Sequence, residues 1–199
     1  TGLLLVLGTI AAAVGWIAFY PANENDGAVQ AAQDIMADPN LAKTGIFLGF
    51  GGMIAVAAGL INITRRMAMA EGPGASFANM ATILSMAMIA TFVVGAGLEL
   101  GVAEATSAQG AVTLMGVSLA VGGSLQLVMG ITLALIAIGV ALDKNLHVLS
   151  ALTALVAGVA IFISAFVDAE WLGWVGWISF MLTGLLMGLG SLGILKAKS

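Results

Sequence analysis

Ten Asp and Glu, six Lys and Arg and one histidine are the groups in this chain best suited to move a proton or hold a cation. Glu99 is the most suggestive of them. It sits in the run Gly97-Leu98-Glu99-Leu100-Gly101 at the end of an apolar stretch, with Glu104 following. A carboxylate there could hold a cation at an outer vestibule, although an acid at a membrane boundary needs no such role. The sole histidine, His147, stands beside Asp143 and Lys144. It could shuttle a proton or ligate haem, but two-histidine ligation within one chain is ruled out, and a hydrated boundary residue is the simpler reading.

Polar groups also occur inside the apolar stretches: Asn62, Ser85, Thr91, Ser118, Ser124, Gln126, Thr132, Thr153 and Ser164. Gln126 is the strongest of these, because an amide turned toward lipid would be unpaired and costly. It is expected to face inward and be hydrogen-bonded, and with Ser124 to border a polar cavity. Trp171, Trp174 and Trp177 form an i, i+3, i+6 stripe that could stack on a flat pigment or quinone, or serve as an interfacial belt. The glycines of Gly72-Pro73-Gly74-Ala75-Ser76 are not a phosphate loop, since no Gly-Lys-Ser/Thr follows and no strand precedes. There is no HExxH, no pair of acids in mid-span and no Ser/His pair, so the chain is not expected to be an enzyme. The absence of cysteine excludes disulfides, thiolate metal sites and cysteine nucleophiles. No cofactor or metal site is expected. A net charge of −4 argues against nucleic acid as a partner.

The elements that hold these residues follow from hydropathy. Hydrophobic residues make up 61% of the chain and charged residues 8%, against about a quarter charged in a soluble domain. Six apolar stretches reach the roughly 20 residues that cross a hydrocarbon core, at about residues 2–20, 44–63, 77–98, 111–142, 146–167 and 171–195. Lipid forces backbone groups to pair within a segment, and the alternating polarity of barrel strands is missing. The fold class is therefore all-α: a polytopic membrane protein with a six-transmembrane-helix bundle in a single domain, 1–199. The first stretch is expected to remain as a membrane helix, being longer than a signal-peptide core and lacking a basic leader. The fourth is longer than a perpendicular helix needs and must tilt, kink or project, with Gly116, Gly122, Gly123 and Gly130 offering a place to bend. The outer loop 21–43 is too polar to cross. Within it Val29, Ala32, Ile35 and Met36 share a helical face, with Asn25 or Asp26 as cap and Pro39 as terminator. A short amphipathic surface helix over 26–38 is expected, with Val29, Ile35 and Met36 turned toward the bundle or bilayer.

Basic residues are retained on the cytoplasmic side. With Thr1 inside, Arg65, Arg66, Lys144, Lys196 and Lys198 all fall inside and Lys43 alone falls outside. Glu24, Asp26, Asp34, Asp38, Glu99, Glu104, Asp168 and Glu170 fall outside. Both termini are then cytoplasmic, in what is expected to be the inner membrane. Trp16 and Tyr20 on the first span, and Trp171 and Trp174 on the sixth, are placed as interfacial anchors at the outer face, with Arg65 and Arg66 at the inner one. Glycines four residues apart align small surfaces that allow close helix packing: Gly45 and Gly49, Gly97 and Gly101, and Gly184 and Gly188 with nearby Gly190. These serve packing within the bundle or a partner interface. The likeness of residues 3–8 to 125–130 would fit an inverted repeat, though four identities among six apolar letters match by chance.

The sequence therefore supports, first, an accessory or structural subunit of a larger membrane complex, whose partners are the bilayer and other subunits or further copies of itself. A channel or carrier for a small neutral or lipid-like solute is the alternative, and a pigment- or quinone-binding membrane protein comes third.

Overall fold

The computed structural model describes residues 1–22, 27–167 and 169–195. Every regular element among them is helical. Helix α1 covers Gly2–Val14 and runs on into a π-helical turn over Gly15–Phe19. Helix α2 covers Gly27–Ala37, α3 Pro39–Met69, α4 Ala75–Ala103, α5 Ala108–Asp143, α6 Val148–Ser164 and α7 Glu170–Ser191. Five segments are long and apolar enough to cross a membrane: Gly2–Phe19, α3, α4, α5 and α7. The expected fifth span is shorter than its hydropathy suggested. Helix α6 has 17 residues, about 26 Å at 1.5 Å per residue, and stops at Ser164 instead of continuing to Val167.

Helix α3 also runs past Arg65 and Arg66 to Met69, and α7 stops at Ser191, short of residue 195; three further features have a local reason. Helix α3 begins at Pro39, five residues before the apolar run, because Asp38 caps it. The Asp38 carboxylate accepts from the Leu41 amide at 3.0 Å, and a proline at the first position has no amide to leave unsatisfied. Helix α4 continues past Glu99 to Ala103, since the acid is buried against a neighbouring helix and does not mark a boundary. Helix α5 is one unbroken α-helix of 36 residues, about 54 Å long; its glycines do not interrupt it. Ser107 caps its start by accepting from the Gly110 amide, and Lys144 ends it in the left-handed conformation.

Except for α2, the helices form a closed ring in chain order, α1–α3–α4–α5–α6–α7, with α7 returning to α1. Neighbours run antiparallel. Leu5 fills the space above Gly59 while Gly15 lies on Gly45 and Gly49, so α1 opposes α3; Gly2 lies on Gly188 while Thr9 lies on Gly184, so α7 opposes α1. Glycines set the close approaches. A Cβ on Gly130 would stand 2.9 Å from the Gly158 carbonyl oxygen, and one on Gly158 would stand 2.8 Å from the Gly130 oxygen. In a bilayer, helices associate through such packing because the lipid is as apolar as the helix surface. The ring interior is filled by one apolar cluster, in which Met53, Met67, Met88, Met129, Met181 and Met187 join Leu60, Phe92, Leu133 and Phe180. Unbranched methionine side chains suit an irregular interior.

Helix α2 lies outside the ring, packed mainly on α5 at one end of the bundle. Its buried side is Ala31, Ala32 and Ile35, which meet Ala42, Val102, Ala111 and Met115 in a second cluster. The amphipathic helix expected over 26–38 is present as 27–37, with Ile35 buried and Met36 packed against this cluster. Val29 is 57% exposed, because contact with α5 centres the packed side on Ala31 and Ile35. The cap expected from Asn25 or Asp26 lies outside the described residues.

Candidate functional site

The described charges gather at the two ends of the bundle. At one end the α3–α4 turn is closed by a clamp from α5. The Gly74 amide, at the start of α4, donates to Asp143 Oδ1 at 2.8 Å, and a side chain at Gly72 or Gly74 would collide with that carboxylate. An acid at a helix N-terminus meets unsatisfied amides and the positive end of the dipole. Asp143 is therefore a structural cap supplied from another helix. Arg65, Arg66 and Lys144 are exposed at this end. His147 caps α6, its Nδ1 accepting from the Leu149 amide at 3.2 Å. At the opposite end Lys43 and Glu104 form an ion pair of 2.9 Å between α3 and α4. Glu24, Asp26, Asp168, Lys196 and Lys198 lie outside the described residues.

The hydroxyls within the spans mostly bond to their own helices. Thr9, Thr91, Thr132, Thr153 and Thr183 each donate to the carbonyl four residues back, and Ser164 to that of Ile161. This pattern satisfies a hydroxyl without any neighbour. Thr82 and Thr64 meet between α4 and α3 at 2.7 Å, both buried. Ser124 follows the same rule: it is exposed and donates to the Ala120 carbonyl at 3.4 Å. Gln126 is half-buried, and the hydrogen bonds among the described residues include none to its amide. Residues two apart on a helix point to opposite sides. Ser124 and Gln126 thus lie on opposite sides of α5.

Gln126 belongs to another set. The packed face of α5 is marked by Met115 and Ser118 above and by Met129 and Leu133 below. Ser118, Gly122 and Gln126, spaced i, i+4, i+8, run along that face. Yet no residue from 119 to 128 is buried, and a Cβ on Gly122 would meet nothing within 4 Å. The cause is the short α6. Its Phe162 packs on Gly130, and α6 ends two residues later, so α5 runs on toward Gln126 and Gly122 without that neighbour. At the end of this open stretch nearer the α4–α5 turn, Glu99 and Ser118 are both buried, at 6% and 7% exposure. The Ser118 hydroxyl donates to Glu99 Oε1 at 3.1 Å. Ser118, which meets Glu99 of α4, is therefore followed along one side of α5 by an open glycine and an amide. Ser118 and Gly122 were legible only through their four-residue spacing to Gln126, once that face was known to point inward.

The remaining predicted positions sort as follows. Trp16 and Tyr20 are half-buried and pack on the main cluster. Trp16 stands edge-on to Tyr20 and to Phe50, with centroids at 4.6 and 5.1 Å, and fills the space above Gly49. Trp171 and Trp174 are exposed, and the Trp174 indole N–H donates to Glu170 at 3.4 Å. Trp177 is half-buried against the main cluster. No ring pair among the described residues joins these three indoles to one another. Gly184 and Gly188 are buried against α1, facing Thr9 in one case and Val6 Cγ2 (2.6 Å from a Cβ) in the other; Gly190 lies against Leu146. The face they form is covered within the chain. Among the described residues no group of three His, Cys, Asp or Glu could hold a metal ion. Comparison with protein-family models, curated proteins and solved structures finds no match.

Proposed function

We propose that this chain is a structural, non-transporting subunit of a larger membrane assembly. All six ring helices would lie in the bilayer, with α6 spanning a locally thin region, and α2 on the outer surface. The observation that carries this reading is the filled interior: methionine, leucine and phenylalanine make up the buried cluster of the ring, and most of the threonine hydroxyls within the spans bond to their own helices or to each other. A conduit for a polar solute needs the reverse, polar groups left to face the solute. Because Gly184 and Gly188 are used within the bundle, a partner would meet other surfaces. The outward side of α6 offers Leu152, Leu155, Val159 and Phe162. A shallow apolar groove of about 290 Å³ between α6 and α7 adjoins it.

The end carrying Arg65, Arg66 and Lys144 would face the cytoplasm. In intact cells a cysteine at Thr106, exposed in the α4–α5 turn, would then react with an impermeant thiol reagent, and one at Ala70 would not. The subunit reading is tested by particle size and by flux. Gentle extraction from native membranes should give a particle larger than the monomer, and liposomes holding the purified chain should pass urea and glycerol no faster than protein-free ones. Flux by the isolated monomer would overturn it. The carrier reading has one specific observation in its favour, the open surface of α5 at Gln126 and Gly122, and predicts flux that falls on Gln126→Leu.

A further inference from the structure

We infer that the end of the bundle carrying Arg65, Arg66 and Lys144 binds the headgroup of an anionic phospholipid. All three side chains are exposed, and no ion pair among the described residues engages them. Packing brings their helices together. Met67, near the end of α3, reaches Gly139 of α5, and Asp143 one turn further along α5 caps Gly74 in the α3–α4 turn. Arg66 and Lys144 each stand next in sequence to a residue of that seam. The acids at this end do not neutralise the cations. Asp143 is turned into the seam, with Oδ1 on the Gly74 amide and Oδ2 buried, so Glu71 is the exposed acid beside three exposed cations among the described residues. At the opposite end the balance is reversed: Lys43 is held by Glu104, and Asp38 and Glu170 are exposed. Charge alone would attract any anion, but the neighbouring side chains select a lipid. Met69, Leu142 and Val148 are exposed apolar groups adjoining the cations. A phospholipid offers phosphate oxygens to the guanidinium and ammonium groups and acyl chains to the apolar ones. Basic groups at the cytoplasmic ends of membrane helices recognise anionic headgroups in this way. The inference rests on the reading of the ring helices as membrane-spanning, and not on whether the chain serves an assembly or a solute.

The full chain would be reconstituted in vesicles of equal parts phosphatidylglycerol and phosphatidylcholine and re-extracted in a mild non-ionic detergent, and its retained lipid measured by mass spectrometry. One Lys or Arg at a membrane surface favours anionic lipid about fivefold, so retained phosphatidylglycerol should be enriched over phosphatidylcholine by at least about that factor. Neutralising the three cations together (Arg65→Gln, Arg66→Gln and Lys144→Gln) should remove the enrichment without lowering helicity, because these side chains hold no ion-pair partner among the described residues. Lys43→Gln at the opposite end should leave it intact. High salt should lower the wild-type enrichment, since exposed charges are screened; this arm decides the matter if the triple variant fails to fold. The inference is overturned if the two lipids are retained equally, if the enrichment survives the triple variant or high salt, or if it is lost as readily in Lys43→Gln. It is also overturned if inorganic phosphate raises the thermal midpoint of the detergent-held chain as much as phosphatidylglycerol does, which would mark a site for soluble anions. Failure of the chain to insert into the vesicles at all is a distinct result, and would overturn the membrane reading and the inference with it.

Discussion

Two adjacent glycines of α3 give a sharp test of how the ring is held together. Gly51 is exposed, and a Cβ there would meet nothing within 4 Å. Gly52 is buried against α1, where a Cβ would stand 2.5 Å from the Gly8 carbonyl oxygen and 2.9 Å from Ala12 Cα. Alanine is preferred to glycine inside a helix by about 1 kcal/mol, so Gly51→Ala should stabilise the protein by up to about that amount. Gly52→Ala has the same propensity gain, but the methyl group must push α1 back by about 1 Å to reach an ordinary contact of about 3.5 Å. The obstructing atoms are backbone and cannot rotate away. Moving them opens the seam where Leu5, Ala12 and Val56 are at most 1% exposed. Overpacking of this kind costs about 1–3 kcal/mol. The propensity gain is common to both, so Gly52→Ala should be less stable than Gly51→Ala by about 1–3 kcal/mol. Reversible unfolding in mixed micelles, with helicity as the signal, would read the difference. Equal effects of the two variants would refute close α1–α3 packing as the source of stability.

Asp143→Ala should cost about 1–2 kcal/mol through the lost cap on α4, with faster amide exchange at Gly74 and a smaller loss in Asp143→Asn, which keeps an acceptor; an unchanged exchange rate would contradict the clamp. On α2, Ile35→Ala should destabilise by about 2 kcal/mol or more while Val29→Ala is nearly neutral, and limited proteolysis between α2 and α3 would report the loosening. Gly188→Leu should destabilise the isolated chain itself, since Val6 and Gly2 occupy the space; a stable monomer released from its assembly would show that this face meets a partner instead. Lys43→Met should change stability by less than about 1 kcal/mol, because the ion pair to Glu104 is largely exposed, and raising the salt concentration should reduce even that difference.

Hydropathy by itself dictated the helices, because a backbone in an apolar medium must satisfy its own hydrogen bonds and apolar runs of this length have few other solutions. The placing of Lys43 and Glu104 at one end, and of Arg65, Arg66 and Lys144 at the other, was equally legible: charges lie between apolar runs, and antiparallel neighbours carry alternate turns to the same end. Helix ends were less so. Glu99 reads as a boundary until Ser118 is seen beside it, and Pro39 reads as the end of one helix when it also begins the next. The ring closure of α7 onto α1, the partners of Gly52, Gly130 and Gly188, and the clamp of Asp143 on Gly74 join residues far apart in the chain, where no local pattern points from one to the other. The open stretch of α5 depended on the most global quantity of all. Gln126 and Gly122 stand open because α6 ends near the level of Gly130, and how far one helix reaches along another is set by packing across the whole bundle.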